Sequence, residues 1–297
     1  MNAQVSTTIS PIASSSVRIS RSPTARAWRR FQKHRLAVSG LVVLILLVLS
    51  ALLAPWLSSH DPNLQNRELA KHGKPAPPSQ EYPFGTDHFG RDYLSRSLYG
   101  ARISLTVGFV AMGVAIGLGT LLGVISGYFG GWIDMVIMRV ADLLLCFPPL
   151  LLLLAVQAAL NNPNIFVVMV IIGLIGWMNV ARLVRGEFLS LREREFIDAA
   201  RTIGLTPLRI AFQEILPNAI SPIIVAATLG IPRAILSEST LSFLGMGVMP
   251  PTPSWGNMLT GAVKYLQEGA WWIGFYPGLL ISVTVLAFNF VGDGLRD

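Results

Sequence analysis

A few ionisable residues sit inside apolar stretches, and their chemistry is the first question. Arg233 and Glu238 lie in "GIPRAILSE", and Arg139 and Asp142 in "MRVAD". Charges at membrane depth are costly, so they face a bundle interior or a watery path. Arg233 and Glu238 are therefore candidates for the wall of a translocation path, or for an Arg–Glu structural pair. Gly230 and Pro232 just before them predict a kinked helix. Arg139 and Asp142, at i and i+3 on one helix face, read as a satisfied structural pair. Catalytic patterns are missing. No G-x-x-x-x-G-K-[ST] phosphate loop, H-E-x-x-H, C-x-x-C or G-x-S-x-G occurs. His34, His60, His72 and His88 read as solvated side chains, not as metal ligands. Cys146 is the single cysteine and forms no intramolecular disulfide. Nothing points to an enzyme active site, a metal or a cofactor held by this chain.

The elements that must position these residues follow from composition. Of 297 residues, 52% are hydrophobic and only 13% charged, against roughly 25% charged in a soluble domain. The reading is an all-α polytopic membrane protein. Its net charge of +7 sits in clusters between apolar runs, which argues against nucleic acid and for charged loops at a lipid boundary. Six apolar runs approach the roughly 20 residues a spanning helix needs: 36–57, 103–128, 133–159, 165–184, 218–247 and 271–291. The first is too long for a signal peptide and reads as retained. The expected organisation is a basic, partly disordered tail over 1–35, a first transmembrane helix over 36–57 and an external loop over 58–102. A core of five helices then fills 103–297.

Lys and Arg set the orientation. Arg18, Arg21, Arg26, Arg29, Arg30, Lys33 and Arg35 precede the first span, placing the N-terminus, and after six spans the C-terminus, in the cytoplasm. The loop 58–102 resists, because Arg67, Lys71, Lys74, Arg91, Arg96 and Arg102 would lie outside. Span two carries Gly113, Gly117, Gly119, Gly123, Gly127 and Gly131, a small-residue face for close helix approach within the chain or between subunits. Trp255, Trp271, Trp272 and Tyr276 are expected at the membrane interface.

Between spans four and five the chain turns polar: "EREFIDAARTIGLTPLRIAFQEILPN", Glu193 to Asn218. Phe196, Ala199, Ala200 and Ile203 follow a helical period. Gly204 is placed to end that helix in a left-handed turn. Thr206 and Pro207 are placed to start a second helix. This helix–turn–helix either lies on lipid or docks on a protein. Its small, alanine-rich face favours the protein.

The segment resembles the EAA loop of ABC importer permeases, E-x-x-x-A-A-x-x-x-G followed by L-P-N. Here these are Glu195, Ala199, Ala200, Gly204, Leu216, Pro217 and Asn218. "FGTDHFGRDYLSRSLYGARISL", "SGYFGGWIDMVIMRVADLLLCFPPLLLLL", "LSFLGMGVMPPTPSWGNML" and "FNFVGDGLRD" resemble the second permease of dipeptide/oligopeptide transporters, relatives of which also carry nickel or glutathione. The resemblance implies a type I importer permease fold in a bacterial inner membrane. It implies a homologous sister permease, two ATPase subunits that hold ATP and Mg, and an extracytoplasmic solute-binding protein. The 193–217 loop would be the coupling element to the ATPases. A self-sufficient secondary transporter or channel is the rival class, and it would need a relay of intramembrane acids.

Overall fold

The computed structural model describes residues 31–71, 73–160 and 164–296; His72 and most of the basic tail lie outside them. Among the described residues the chain is helical, with only an isolated bridge between Thr86 and Asp92. Helix α1, Arg35–Leu52, starts where His34 Nδ1 accepts from the Ala37 amide at 3.1 Å. Helix α2, Tyr93–Phe129, is capped by Asp92, which accepts from the Leu94 and Ser95 amides, and it ends at Gly130 with φ 65°. At 1.5 Å per residue α2 is about 55 Å long, far more than a bilayer core of about 30 Å. Its first turns therefore belong to the segment expected as the 58–102 loop.

The expected third span is not one helix. Helix α3, Gly131–Leu145, and helix α4, Pro149–Leu160, meet at 90°. Pro148 and Pro149 explain the corner, since neither has an amide to continue the ladder and each disfavours helix in the residue before it. Helix α5 is Ile165–Leu191, helix α6 Glu195–Thr202, helix α7 Ile220–Phe243 and helix α8 Trp272–Arg296. Among the described residues five helices are long and apolar enough to cross a membrane, or six if the bent α3–α4 pair is one span.

Packing explains the glycines. A Cβ on Gly119, Gly123 or Gly127 would stand 2.6–2.7 Å from the Cβ of Val180, Val184 or Phe188 on α5. Gly173 of α5 approaches the Ala111 carbonyl in return. This is small-residue packing inside the chain, whereas Gly113, Gly117 and Gly131 face nothing within 4 Å. On the other side α1 lies along α8, with Gly40 against Ala287 and Gly294 against Ala37.

Helix α7 runs through Pro232 as continuous α-helix. The irregular backbone lies earlier, as a π-helix over Ile210–Ile215 and a 3-10 turn over Leu216–Ala219. Pro217 has no amide to donate and its ring crowds the carbonyl four residues back, so the chain widens and then tightens there instead of keeping an α ladder.

Candidate translocation and coupling site

The polar segment forms from local rules. Helix α6 ends in a Schellman turn: Gly204 has φ 81°, its amide donates to the Arg201 carbonyl at 3.0 Å, and the Leu205 amide donates to Ala200 at 3.2 Å. Thr206 takes the N-cap position with Pro207 following, but its hydroxyl makes no capping bond. Asn218 Nδ2 donates to the Glu214 carbonyl at 2.7 Å, tying off the irregular stretch.

The four residues expected on one apolar face of α6 divide into two sets. Ala200 is buried, and with Ile197 it packs into a cluster containing Val184, Phe188, Ile210 and Ile215. Phe196, Ala199 and Ile203 point outward, Ile203 being 76% exposed. The division follows the helical angle: Ile197 and Ala200, at i and i+3, share the inward stripe. Ile197, fully buried, was the missed signal. Leu208 and Phe212 extend the exposed apolar surface beyond the turn, and Glu195, Pro217 and Asn218 are exposed around it while Leu216 is half-buried.

A cavity of about 800 Å³ lies between α2, the α3–α4 corner, α5 and α7. Its α7 wall is one helix face, Ser221, Val225, Leu229, Arg233 and Ser237. Arg233 is exposed into it. Glu238 is not part of this wall, nor is it paired with Arg233, which corrects both readings made from the sequence. Helix rotation carries Glu238 to the opposite side, where it is fully buried. There its Oε1 accepts from Ser242 Oγ at 2.6 Å and from Ser254 Oγ at 2.9 Å. Ser254 begins the short helix Trp255–Met258, so Glu238 fastens the proline-rich outer loop to α7.

The Arg139–Asp142 pair is corrected too. Asp142 is ion-paired with Arg182 of α5, and Arg139 is exposed. About two turns nearer the N-terminus of α3, Asp134 accepts from Arg185 at 2.5 and 2.6 Å, in fork geometry, and from Ser126 Oγ. Spacing within a single helix could not reveal these partners, because they lie across the α3–α5 interface.

The outer segment is a built platform. Asp87 Oδ2 is 2.7 Å from Arg91 Nε and 3.7 Å from Arg96 Nε, all three buried. Arg102 Nε donates to Ala51 O at 2.5 Å and its Nη2 to Leu52 O at 2.9 Å, capping the end of α1. Three arginines that conflicted with the charge rule are thus absorbed by carbonyls and Asp87. Trp255 and Trp272 are core residues, contrary to the interface expectation, and donate to the Ser97 and Thr86 carbonyls. Trp271 remains exposed. His60 sits 3.4 Å from Asp92. His88 stacks on Tyr265, where burial pulls its imidazole below the usual histidine range. Among the described residues no group of His, Cys, Asp and Glu has the arrangement to hold a metal.

Residues 119–297 match the family described as binding-protein-dependent transport system inner membrane component, and residues 22–78 match the N-terminal transmembrane domain of oligopeptide transport permease C. The chain is 44% identical over 276 residues to the dipeptide transport system permease protein DppC of Alkalihalophilus pseudofirmus, covering 93% of this chain and 89% of that one. It is 40% identical to the Bacillus subtilis DppC over 285 residues, 96% of this chain and 88% of the other. Over 271 residues it is 40% identical to the oligopeptide transport system permease protein OppC of Bacillus subtilis, with coverage of 91% and 87%.

Proposed function

The chain belongs to the family of binding-protein-dependent transport system inner membrane components, a multi-pass membrane permease family, and on that premise we propose that it is one of two permeases in an ABC importer of di- and oligopeptides. The relatives carry peptide transport names, which gives nickel and glutathione no support. Two ATPase subunits bind and hydrolyse ATP with Mg, a sister permease completes the path, and an extracytoplasmic solute-binding protein delivers the peptide. The N- and C-termini face the cytoplasm of a bacterial inner membrane.

The observation that carries the coupling role is the outward face of α6. Phe196, Ile203, Leu208 and Phe212 leave a large apolar area uncovered beside a glycine turn. An exposed apolar patch of this kind marks a contact surface. Ile197 and Ala200 root the same helix in the α5 cluster that borders the cavity, so a push on its outer face reaches α5 and α7 directly. Glu195, Ala199, Gly204 and the Leu216–Asn218 stretch are the contact and hinge points of this lever; Ala200 is its root. ATP binding by the partners supplies the energy difference between inward- and outward-open states.

Against a self-sufficient transporter, no carboxylate lines the cavity among the described residues, Glu238 is sealed away, and Asp142 is paired. The test is purification of the tagged chain from mild detergent followed by peptide uptake in vesicles. Copurifying ATPases and ATP-dependent uptake that needs the solute-binding protein are expected. Uptake driven by an ion gradient without ATPases would refute the proposal.

A further inference from the structure

Resting on the peptide-importer reading, we propose that Arg233 is the point at which this permease receives the carboxylate of a peptide in transit. Among the described residues its lining holds no carboxylate and two cations, Arg233 on α7 and Arg296 at the end of α8. The cavity walls are apolar from α2 (Ala111, Met112), the corner (Leu144, Phe147) and α5 (Ile172, Ile175), and its volume of about 800 Å³ is within the roughly 300–1,000 Å³ of small-molecule sites. From Ser221 to Ser237 the α7 wall extends about 24 Å at 1.5 Å per residue, most of a bilayer core. Arg233 stands on that wall one turn from Ser237, exposed, with no hydrogen bond or ion pair to it among the described residues. The other cation at the cavity, Arg296, is at the far end of α8 and sits 3.9 Å from Asp293.

A guanidinium without a counter-ion, facing an apolar chamber at membrane depth, is costly unless an anion or water visits it. Its planar fork matches a carboxylate bidentately. A short peptide has the complementary layout: side chains that suit the Leu and Ile walls and one carboxylate that needs a partner. The same cation favours neither free amines nor metal cations, so it ranks solutes inside the membrane after the binding protein has selected them. Asn179 and Ser237, which also line the cavity, offer neutral hydrogen-bonding groups.

Charge can be separated from shape by chemical rescue. Arg233→Cys is made in a Cys146→Ser background and the whole importer is reconstituted in vesicles. The thiol is converted to a trimethylammonium-ethyl, hydroxyethyl or sulfonatoethyl disulfide, each confirmed by mass spectrometry. The readout is uptake of a labelled dipeptide with a free C-terminus, at saturating binding protein. We expect about a tenfold or greater loss in Arg233→Cys, recovery only with the cationic adduct, and the lowest uptake with the anionic one. Subunit copurification and basal ATP hydrolysis stay constant across all three, and Arg233→Lys keeps most of the uptake. Equal recovery by the neutral adduct, or a loss that follows departure of the sister permease, overturns the proposal. A wild-type complex that imports no dipeptide overturns the peptide reading instead.

Discussion

Ile203→Asp isolates the docking face of α6 from the fold of the chain. Ile203 is 76% exposed and touches no core cluster, so the substitution leaves the permease intact. Fully burying an isoleucine is worth about 1.5–3 kcal/mol. If the ATPase covers this side chain, its loss therefore costs about 1–2 kcal/mol. The aspartate adds the penalty of a carboxylate at an apolar contact. With about 1.4 kcal/mol per factor of ten, the ATPase subunits should bind about tenfold or more weakly, and coupled uptake should fall with them. Gly204→Asp is a second probe: its Cβ meets nothing within 4 Å, so the local cost is the strain of φ 81°, about 1–2 kcal/mol. Ile197→Asp is the contrast, because Ile197 is fully buried and its loss should unfold the segment itself. Binding of purified ATPase subunits to the permease in nanodiscs gives the answer. Unchanged affinity and uptake in Ile203→Asp would show that this face is not the coupling surface.

Gly123→Leu should destabilise the chain by at least about 1–3 kcal/mol, because the Ala181 carbonyl and the Val184 Cβ lie 2.7 Å from the new Cβ; Gly113→Leu, facing open space, should leave the thermal midpoint in detergent unchanged. Asp134→Ala should leave Arg185 unpaired and loosen α3 from α5. A double-mutant cycle with Arg185→Ala on thermal stability should give a coupling of about 1 kcal/mol or more, and additivity would refute it. His88 is held below its usual range by burial, so the folded state prefers neutral imidazole. The stability it contributes is complete above about pH 6.5 and is lost as pH falls through its lowered pKa; His88→Phe should flatten the melting profile between pH 7.5 and 5.5.

The spans were legible because a 3.6 period and apolar length survive any arrangement of neighbours. Pairings between helices were not. Asp142 reads as a partner of Arg139 only while α5 is out of view, and Arg182 lies forty positions on. The α6 turn was legible to the single residue, since Gly204 obeys a local backbone rule. Which side of α6 faces inward was not, because Phe196 and Ile203 are as apolar as Ile197 and only the α5 cluster distinguishes them. The glycine face on α2 was visible as a pattern, but its partner was fixed by the Val180, Val184 and Phe188 stripe. The tryptophans misled for a related reason. Trp255 and Trp272 have the composition of an interface belt, yet each finds a distant carbonyl for its indole and is buried.

The outer platform also dictates a schedule for biosynthesis. Tyr93, at the start of α2, donates its hydroxyl to the carbonyls of Met258 and Ile273, the second of them 180 positions later. At about 5–20 residues per second a ribosome needs about 10–40 s to supply that acceptor. For longer still, Gly40 of α1 waits for Ala287 of α8. The early helices must therefore persist in the bilayer as separate, incompletely packed spans, and the platform closes only once the last helix arrives. Premature chain termination before α8 should give a species that inserts yet is open to membrane quality-control proteases, with Tyr93 lacking its Ile273 acceptor.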